Sequence, residues 1–274
     1  MTSLNTAAPT VLATPRSGFI EVRDLKVSYD GHHEALSSVD MTVGETEFVA
    51  VLGPSGCGKS TMLQVLSGLL QPVSGTATIA GHDVTVKGSN RPRVGYVFQD
   101  HRLLPWRTVG QNIELVLAAA RIPPSEWEQR IDRHLSMLHI GGYRDAWPMR
   151  LSGGQRQRVS IARALAIDPA VVLMDEPFST LDEVTARLMR QQLVELWQES
   201  GHAIVFVTHS IREAVYLADR IVILTKGPAT LLEEVVVDIP RPRRYEDAAL
   251  TELEASIVER VMREWGYGDP DTPA

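Results

Sequence analysis

A Gly-rich octapeptide, Gly53-Pro54-Ser55-Gly56-Cys57-Gly58-Lys59-Ser60, constrains this fold more than any other segment. Before it runs Glu47-Phe48-Val49-Ala50-Val51-Leu52, a short apolar stretch that reads as a buried parallel strand. After it, Thr61 to Leu70 carries Met62, Leu63, Val65, Leu66 and Leu69 at helical spacing. A strand entering a helix through such a turn is the local unit of an α/β protein with a mostly parallel sheet. The glycines let backbone N–H groups point inward at phosphate oxygens, at the positive end of the following helix. Lys59 is placed to reach β- and γ-phosphates, and the Ser60 hydroxyl to coordinate Mg²⁺.

The rest of the chain supplies strands and helices in alternation. Phe19 to Val27 alternates apolar and charged residues, as a half-buried strand does, and Tyr29-Asp30-Gly31 reads as a turn. Gly75 to Ile79 and Val94 to Phe98 are further strands. Thr108 to Leu138 reads as helical with a break at Pro123-Pro124, and Ile131, Leu135 and Leu138 give it one apolar face. Ser152 caps a helix running to about Ala166. Strands at Val171–Met174 and Ala203–Val207 flank a helix at Thr185–Glu199. A helix at Ile211–Asp219 and strands at Arg220–Leu224 and Leu232–Val237 follow. Pro240 to Arg244 reads as a boundary. Beyond it, Leu250, Leu253, Ile257, Val258, Val261, Met262 and Trp265 mark one face of a helix.

Two features add chemistry to the phosphate loop. Asp175 ends the strand Val171-Val172-Leu173-Met174, and a carboxylate at that end of a parallel strand faces the ligand crevice, where it can hold Mg²⁺ through water. Glu176, the next residue, can act on an attacking water as general base. The heptapeptide Leu151-Ser152-Gly153-Gly154-Gln155-Arg156-Gln157 is a second Gly-rich element, upstream of that strand.

Composition narrows the partners. The 274 residues carry a net charge of −7, so no overall basic field invites nucleic acid, and Arg241-Pro242-Arg243-Arg244 reads as solvated surface. The only cysteine, Cys57, excludes an intrachain disulfide and has no base tied to it that would make it a nucleophile. No window reaches 18 consecutive apolar residues, so a membrane role must come through a partner.

Gly53–Ser60, Gln99, Leu151–Gln155, Asp175-Glu176, Ser179–Asp182 and His209 resemble, in order, the Walker A, Q-loop, signature, Walker B, D-loop and switch histidine of an ABC transporter ATP-binding subunit. The resemblance spans Phe19 to Val237. It implies an α/β ABC-type ATPase domain: a RecA-like, mostly parallel sheet core, an antiparallel β subdomain and a helical subdomain. On this reading residues 1–17 are a flexible tail, 18–239 the ATPase domain with its helical subdomain at about 100–165, and 240–274 a C-terminal extension with an amphipathic helix. The resemblance implies that Gly53, Pro54, Ser55, Gly56, Cys57, Gly58, Lys59, Ser60 and Thr61 bind ATP, with Tyr29 stacked on adenine. Ser60, Gln99 and Asp175 serve Mg²⁺, and Glu176, His209 and Gln99 serve hydrolysis. Ser152, Gly153 and Gly154, with Gln155 beside them, hold the γ-phosphate bound on a second copy of the chain, and Asp182 runs across the interface between copies. It further implies integral membrane permease subunits as partners, indirect service to an external solute-binding protein, no nucleic acid, and a place at the cytoplasmic face of the cell membrane.

Phe98-Gln99-Asp100-His101-Arg102-Leu103-Leu104-Pro105-Trp106, Thr108–Ile113, Thr208–Thr225 and Val237–Arg243 are similar to the importers of nitrate, taurine and aliphatic sulfonates. Leu103, Leu104 and Trp106 form an apolar patch that serves either core packing or docking of a permease helix. Ser179 and Thr180 stand where that group commonly has Gly and Ala, and Trp147-Pro148-Met149-Arg150 replaces a commoner Tyr-Pro-His-Gln. An importer of thiamin-precursor pyrimidines is an alternative within the family. Outside transport, the alternative is a soluble ABC-type ATPase of DNA repair or translation. Such proteins usually carry a long coiled-coil insertion or two ATPase units per chain, and this sequence has neither. A phosphate-loop kinase leaves Leu151–Gln155 unexplained.

Overall fold

The computed structural model describes residues 18–29, 33–86 and 91–266. Two sheets organise it. The smaller is antiparallel, with strands in the order β2 (His33–Val43), β1 (Ile20–Tyr29), β4 (Ser74–Ile79) and β5 (His82–Asp83). The larger runs β10 (Leu231–Val236), β9 (Arg220–Leu224), β3 (Phe48–Leu52), β8 (Ala203–Thr208), β7 (Val171–Asp175) and β6 (Val94–Val97). Its five strands from β9 to β6 are parallel, and β10 is an antiparallel edge.

The two faces of the large sheet feed two cores, because successive side chains of a strand point to opposite sides. Val49, Val51, Leu173, Val205 and Val222 face the small sheet and α1 (Lys59–Leu66). Phe48, Ala50, Leu52, Met174, Phe206 and Ile223 face the other helices. These are α2 (Val109–Ala119), α3 (Pro124–Met137), α4 (Gly153–Leu165), α5 (Glu183–Ser200), α6 (Ile211–Leu217) and α7 (Ala248–Glu264). Strands β3, β7 and β8 are buried along their whole length, as continuous apolar runs in a covered parallel sheet must be. No helix among the described residues is long and apolar enough to cross a membrane.

Several sequence expectations need adjustment. The residue pattern gave no hint of β2, whose pairing with β1 shifts register three times and whose Ser38 has φ 60°. Such bulges destroy the alternation by which a strand is recognised. Tyr29 ends β1; Asp30 and Gly31, the remainder of the expected turn, lie outside the described residues, as do residues 1–17 of the expected tail. Met262 is exposed, whereas Leu250, Ile257, Val261 and Trp265 join the helical-side core. Arg241-Pro242-Arg243-Arg244 is not a uniformly solvated stretch. Arg243 is buried and donates to the carbonyls of Val215, Tyr216, Ala218, Val237 and Ile239. Arg241 bonds Asp219 and the Leu217 carbonyl. A cation lowered onto the last carbonyls of α6 is favourable there, and the sequence alone does not show those acceptors.

Candidate active site at the phosphate loop

The loop between β3 and α1 takes the shape its glycines permit. Gly58 has φ 114° at the N-cap of α1, and a Cβ there would lie 2.6 Å from the Ala35 carbonyl oxygen. Both the dihedral and the close backbone approach require glycine. Pro54 closes a turn onto the Cys57 N–H at 3.3 Å. Lys59 is buried, its Nζ donating to the Gly53 carbonyl at 2.7 Å and the Pro54 carbonyl at 2.9 Å. Its ammonium therefore closes the loop on itself, 3.9 Å from Glu176 Oε1.

Four elements converge on this loop. From the end of β7, Asp175 Oδ1 accepts the Ser60 hydroxyl at 2.8 Å and Oδ2 accepts the Tyr96 hydroxyl at 3.4 Å. Burial pushes the Asp175 carboxyl above the ordinary range, against the Ser60 bond and the Lys59 charge. Glu176 follows with φ 42°, a left-handed backbone for a non-glycine residue, and its N–H extends the β7–β8 ladder to the Val207 carbonyl at 3.0 Å. Strain of this kind aims a side chain off the end of a strand. His209, just beyond β8, brings Nδ1 to 3.0 Å from Glu176 Oε2. Gln99, just beyond β6, donates to the Ser179 hydroxyl at 3.3 Å, and that hydroxyl donates to the Glu176 carbonyl at 2.9 Å. Tyr29 reaches in from β1, its hydroxyl 3.0 Å from Thr61 Oγ1.

A cavity of about 670 Å³ opens in front of these groups. Gly56, Gly58, Lys59, Ser60, Thr61, Tyr29 and Glu176 line it, and so do His33, Glu34, Ala35, Gly227 and Pro228, which sequence reading did not select. The Gly227-Pro228 pair carries a turn signal that could have drawn attention to it, whereas nothing in the sequence marks His33 to Ala35 as neighbours of the loop.

The second Gly-rich element is a helix start, as expected, but it does not line the cavity. Ser152 Oγ accepts the Gln155 N–H at 3.2 Å, and the Gln155 side chain accepts the Ser152 N–H at 2.9 Å. This capping box occupies the Gln155 amide, while a Cβ on Gly154 would sit 2.7 Å from Thr185 Cγ2. Asp182 caps α5 by accepting the Thr185 N–H at 2.9 Å, a bond that holds its carboxyl below the ordinary range. The same chain thus carries a phosphate loop at the cavity and a capped, Gly-rich helix start that does not line it. Of the expected docking patch, Trp106 is exposed and Leu103 packs against the core.

Cys57 is 1% exposed, and burial raises its thiol pKa despite nearby Lys59. A thiol held protonated and covered is a poor nucleophile. Iodoacetamide at neutral pH is expected to alkylate this single thiol at least ~10-fold more slowly in the folded chain than in denaturant. Equal rates by mass spectrometry would contradict the burial.

No group of three or more His, Cys, Asp or Glu among the described residues could hold a metal ion unaided. Mg²⁺ does not need one, since it takes one or two carboxylates, with waters and phosphate oxygens completing its shell. The Ser60 hydroxyl and Asp175 carboxylate, in contact beside the phosphate loop, are a donor set of that hard-oxygen kind.

The ABC transporter family matches residues 36–179, more than half of the chain. An uncharacterized ABC transporter ATP-binding protein, MJ0412 of Methanocaldococcus jannaschii, is 44% identical over 231 residues, covering 84% of this chain and 85% of that protein. The nitrate import ATP-binding protein NrtD of Synechococcus elongatus is 37% identical over 271 residues, 95% of this chain and 98% of its own. The aliphatic sulfonates import ATP-binding protein SsuB of Rhodopseudomonas palustris is 39% identical over 251 residues, 91% of this chain and 86% of its own. Among solved structures, the dimeric post-hydrolysis state of the ATP-binding cassette MJ0796 bound to ADP and Pi aligns with a TM-score of 0.71 at 33% identity. The alignment covers 81% of this chain and all of that one. At these identities, over most of the length of each partner, the chain belongs to the ABC transporter family, as one of the ATP-hydrolysing subunits that drive transport.

Proposed function

We propose that this chain energises an importer for a small anion of the nitrate, bicarbonate or sulfonate kind. The observation that carries the reading is the near full-length similarity to ATP-binding proteins named for nitrate, bicarbonate and aliphatic sulfonate import. Taurine belongs to the same chemical class.

The site geometry supports roles for named residues. Lys59, exchanging the Gly53 and Pro54 carbonyls for phosphate oxygens, binds the β- and γ-phosphates, and the loop N–H groups from Gly56 to Thr61 bind the rest. Tyr29 swings from Thr61 to stack on adenine. Ser60, Asp175 and Gln99 hold Mg²⁺, which when bound neutralises charge on the phosphates. Glu176 accepts a proton from the attacking water, and His209 orients the water and γ-phosphate. The helix start at Ser152, Gly153 and Gly154, which does not line its own cavity, supplies donors to the γ-phosphate on a second copy, with Gln155 holding Ser152 in place. Asp182 couples the two copies at their interface. Residues 100–165 form the helical subdomain, and Trp106 meets a permease subunit at the cytoplasmic face of the membrane. An external solute-binding protein delivers the anion to that permease.

The test is to purify the complex from native membranes and measure ATPase activity with its binding protein and each solute in turn. Stimulation by one of nitrate, bicarbonate, taurine or an alkanesulfonate is the expected result. Stimulation by a neutral pyrimidine alone would move the solute class, and recovery without any permease would overturn the transport reading.

A further inference from the structure

The residues flanking His209 are tied down by a buried network that does not touch the cavity. Thr208, 1% exposed at the end of β8, donates its hydroxyl proton to Glu213 Oε2 at 2.6 Å. The same hydroxyl oxygen accepts the Ser210 N–H at 3.0 Å. Ser210 in turn caps α6 by accepting the Glu213 N–H at 3.3 Å. The backbone on both sides of His209 is therefore fixed, while its imidazole is half exposed and turned onto Glu176.

Glu213 is fixed as well. Its Oε1 lies 3.7 Å from Nη1 of Arg190, a guanidinium 3% exposed. Arg190 is anchored by the Ala186 carbonyl at 3.1 Å and Glu183 at 3.0 Å. The ring of Tyr245, stacked on Tyr216 at 4.2 Å between centroids, closes over that guanidinium at 5.4 Å. Burial raises the Glu213 carboxyl pKa, and the Thr208 hydroxyl and the Arg190 charge oppose that rise. A carboxyl with no access to the nucleotide cavity earns its burial through what it holds.

We propose that Glu213 is a positioning residue for His209: with Thr208 and Arg190 it fixes the β8–α6 junction so that the imidazole stands on Glu176. The inference rests on the reading of His209 as the group that orients water and γ-phosphate. It extends that reading to residues that touch neither ATP nor Mg²⁺.

The geometry makes a spectroscopic demand. With Nδ1 facing a carboxylate, the neutral imidazole carries its proton on Nδ1, the minor form of a free histidine. The experiment uses the full-length chain labelled with ¹⁵N-histidine. Among its eight histidines, the His209 signal is assigned by its absence from His209→Ala. Wild type is expected to show the Nδ1–H tautomer at His209, and Glu213→Ala to revert to the Nε2–H form. Turnover of Glu213→Ala is expected to fall about tenfold or more, with KM for Mg-ATP within about twofold. Should that variant not fold, Thr208→Val cuts the same link at nearly constant volume and is expected to give the same reversion. An unchanged His209 signal in the folded variant overturns the proposal. Full turnover in His209→Ala would instead sink the underlying reading of His209, and the two failures are separate because the tautomer is read without turnover.

Discussion

Glu176→Gln is expected to bind ATP, dimerise with it and hydrolyse it about 100- to 10,000-fold more slowly than wild type, the range for loss of a general base. The amide is nearly isosteric with the carboxylate, so the β7–β8 ladder and the contact with His209 can persist. The ability to take a proton is lost. The substitution also removes a negative charge 3.9 Å from Lys59 that lines the cavity proposed to receive the phosphates. Repulsion between carboxylate and γ-phosphate therefore falls while the chemistry stops, and the ATP-bound dimer accumulates. Gel filtration in Mg-ATP and single-turnover phosphate release read the two effects separately. A monomer in Mg-ATP, or release within tenfold of wild type, would count against this assignment. The wild-type rate of hydrolysis at low concentration should rise with the square of subunit concentration, since the Ser152 helix start does not line its own cavity.

The parts of this structure that were legible in sequence are those where chemistry or burial leaves few choices. A phosphate loop needs glycine where the backbone turns back, as at Gly58, and a covered parallel strand must be an apolar run, as β3 is and as β7 and β8 are up to their last residues, Asp175 and Thr208. The capping box at Ser152 and Gln155 was half visible: the cap was read, but not that it occupies the glutamine side chain. Ser179 shows the opposite case. It stood out as the first residue of the D-loop resemblance and as a departure from the commoner glycine, neither of which shows that its hydroxyl is what Gln99 bonds. Strand β2 was hidden by its bulges. His33 to Ala35 and Tyr96 were hidden because their contacts with the loop and with Asp175 are made by tertiary packing alone. Arg243 was hidden for a deeper reason. Its partners are backbone carbonyls, and carbonyls leave no trace in residue identity.

Arg243→Ala is accordingly expected to lower stability by about 3 kcal/mol or more, because buried acceptors left without donors each cost about 1–3 kcal/mol. The guanidinium has carbonyl oxygens at 2.6 Å from Ala218, 2.9 Å from Ile239, 3.0 Å from Val215 and 3.2 Å from both Tyr216 and Val237. Burial lowers its pKa to about 10, so it remains charged at neutral pH. A planar fork can serve five acceptors on two chain segments at once; an ammonium has three donors and no fork, so Arg243→Lys should fall between wild type and alanine. Three of the acceptors belong to the end of α6 or the residue after it, and the other two lie beyond β10. One side chain thus pins the helix that follows His209 to the start of the C-terminal segment. For a chain of this size, a loss of 3 kcal/mol corresponds to a drop in Tm of about 6–12 °C. The neighbouring Arg244 is exposed, and its alanine variant is expected to stay within about 0.5 kcal/mol of wild type. Thermal unfolding of the two variants side by side decides the matter: equal midpoints would mean that solvent replaces the guanidinium at no cost and that α6 does not depend on it.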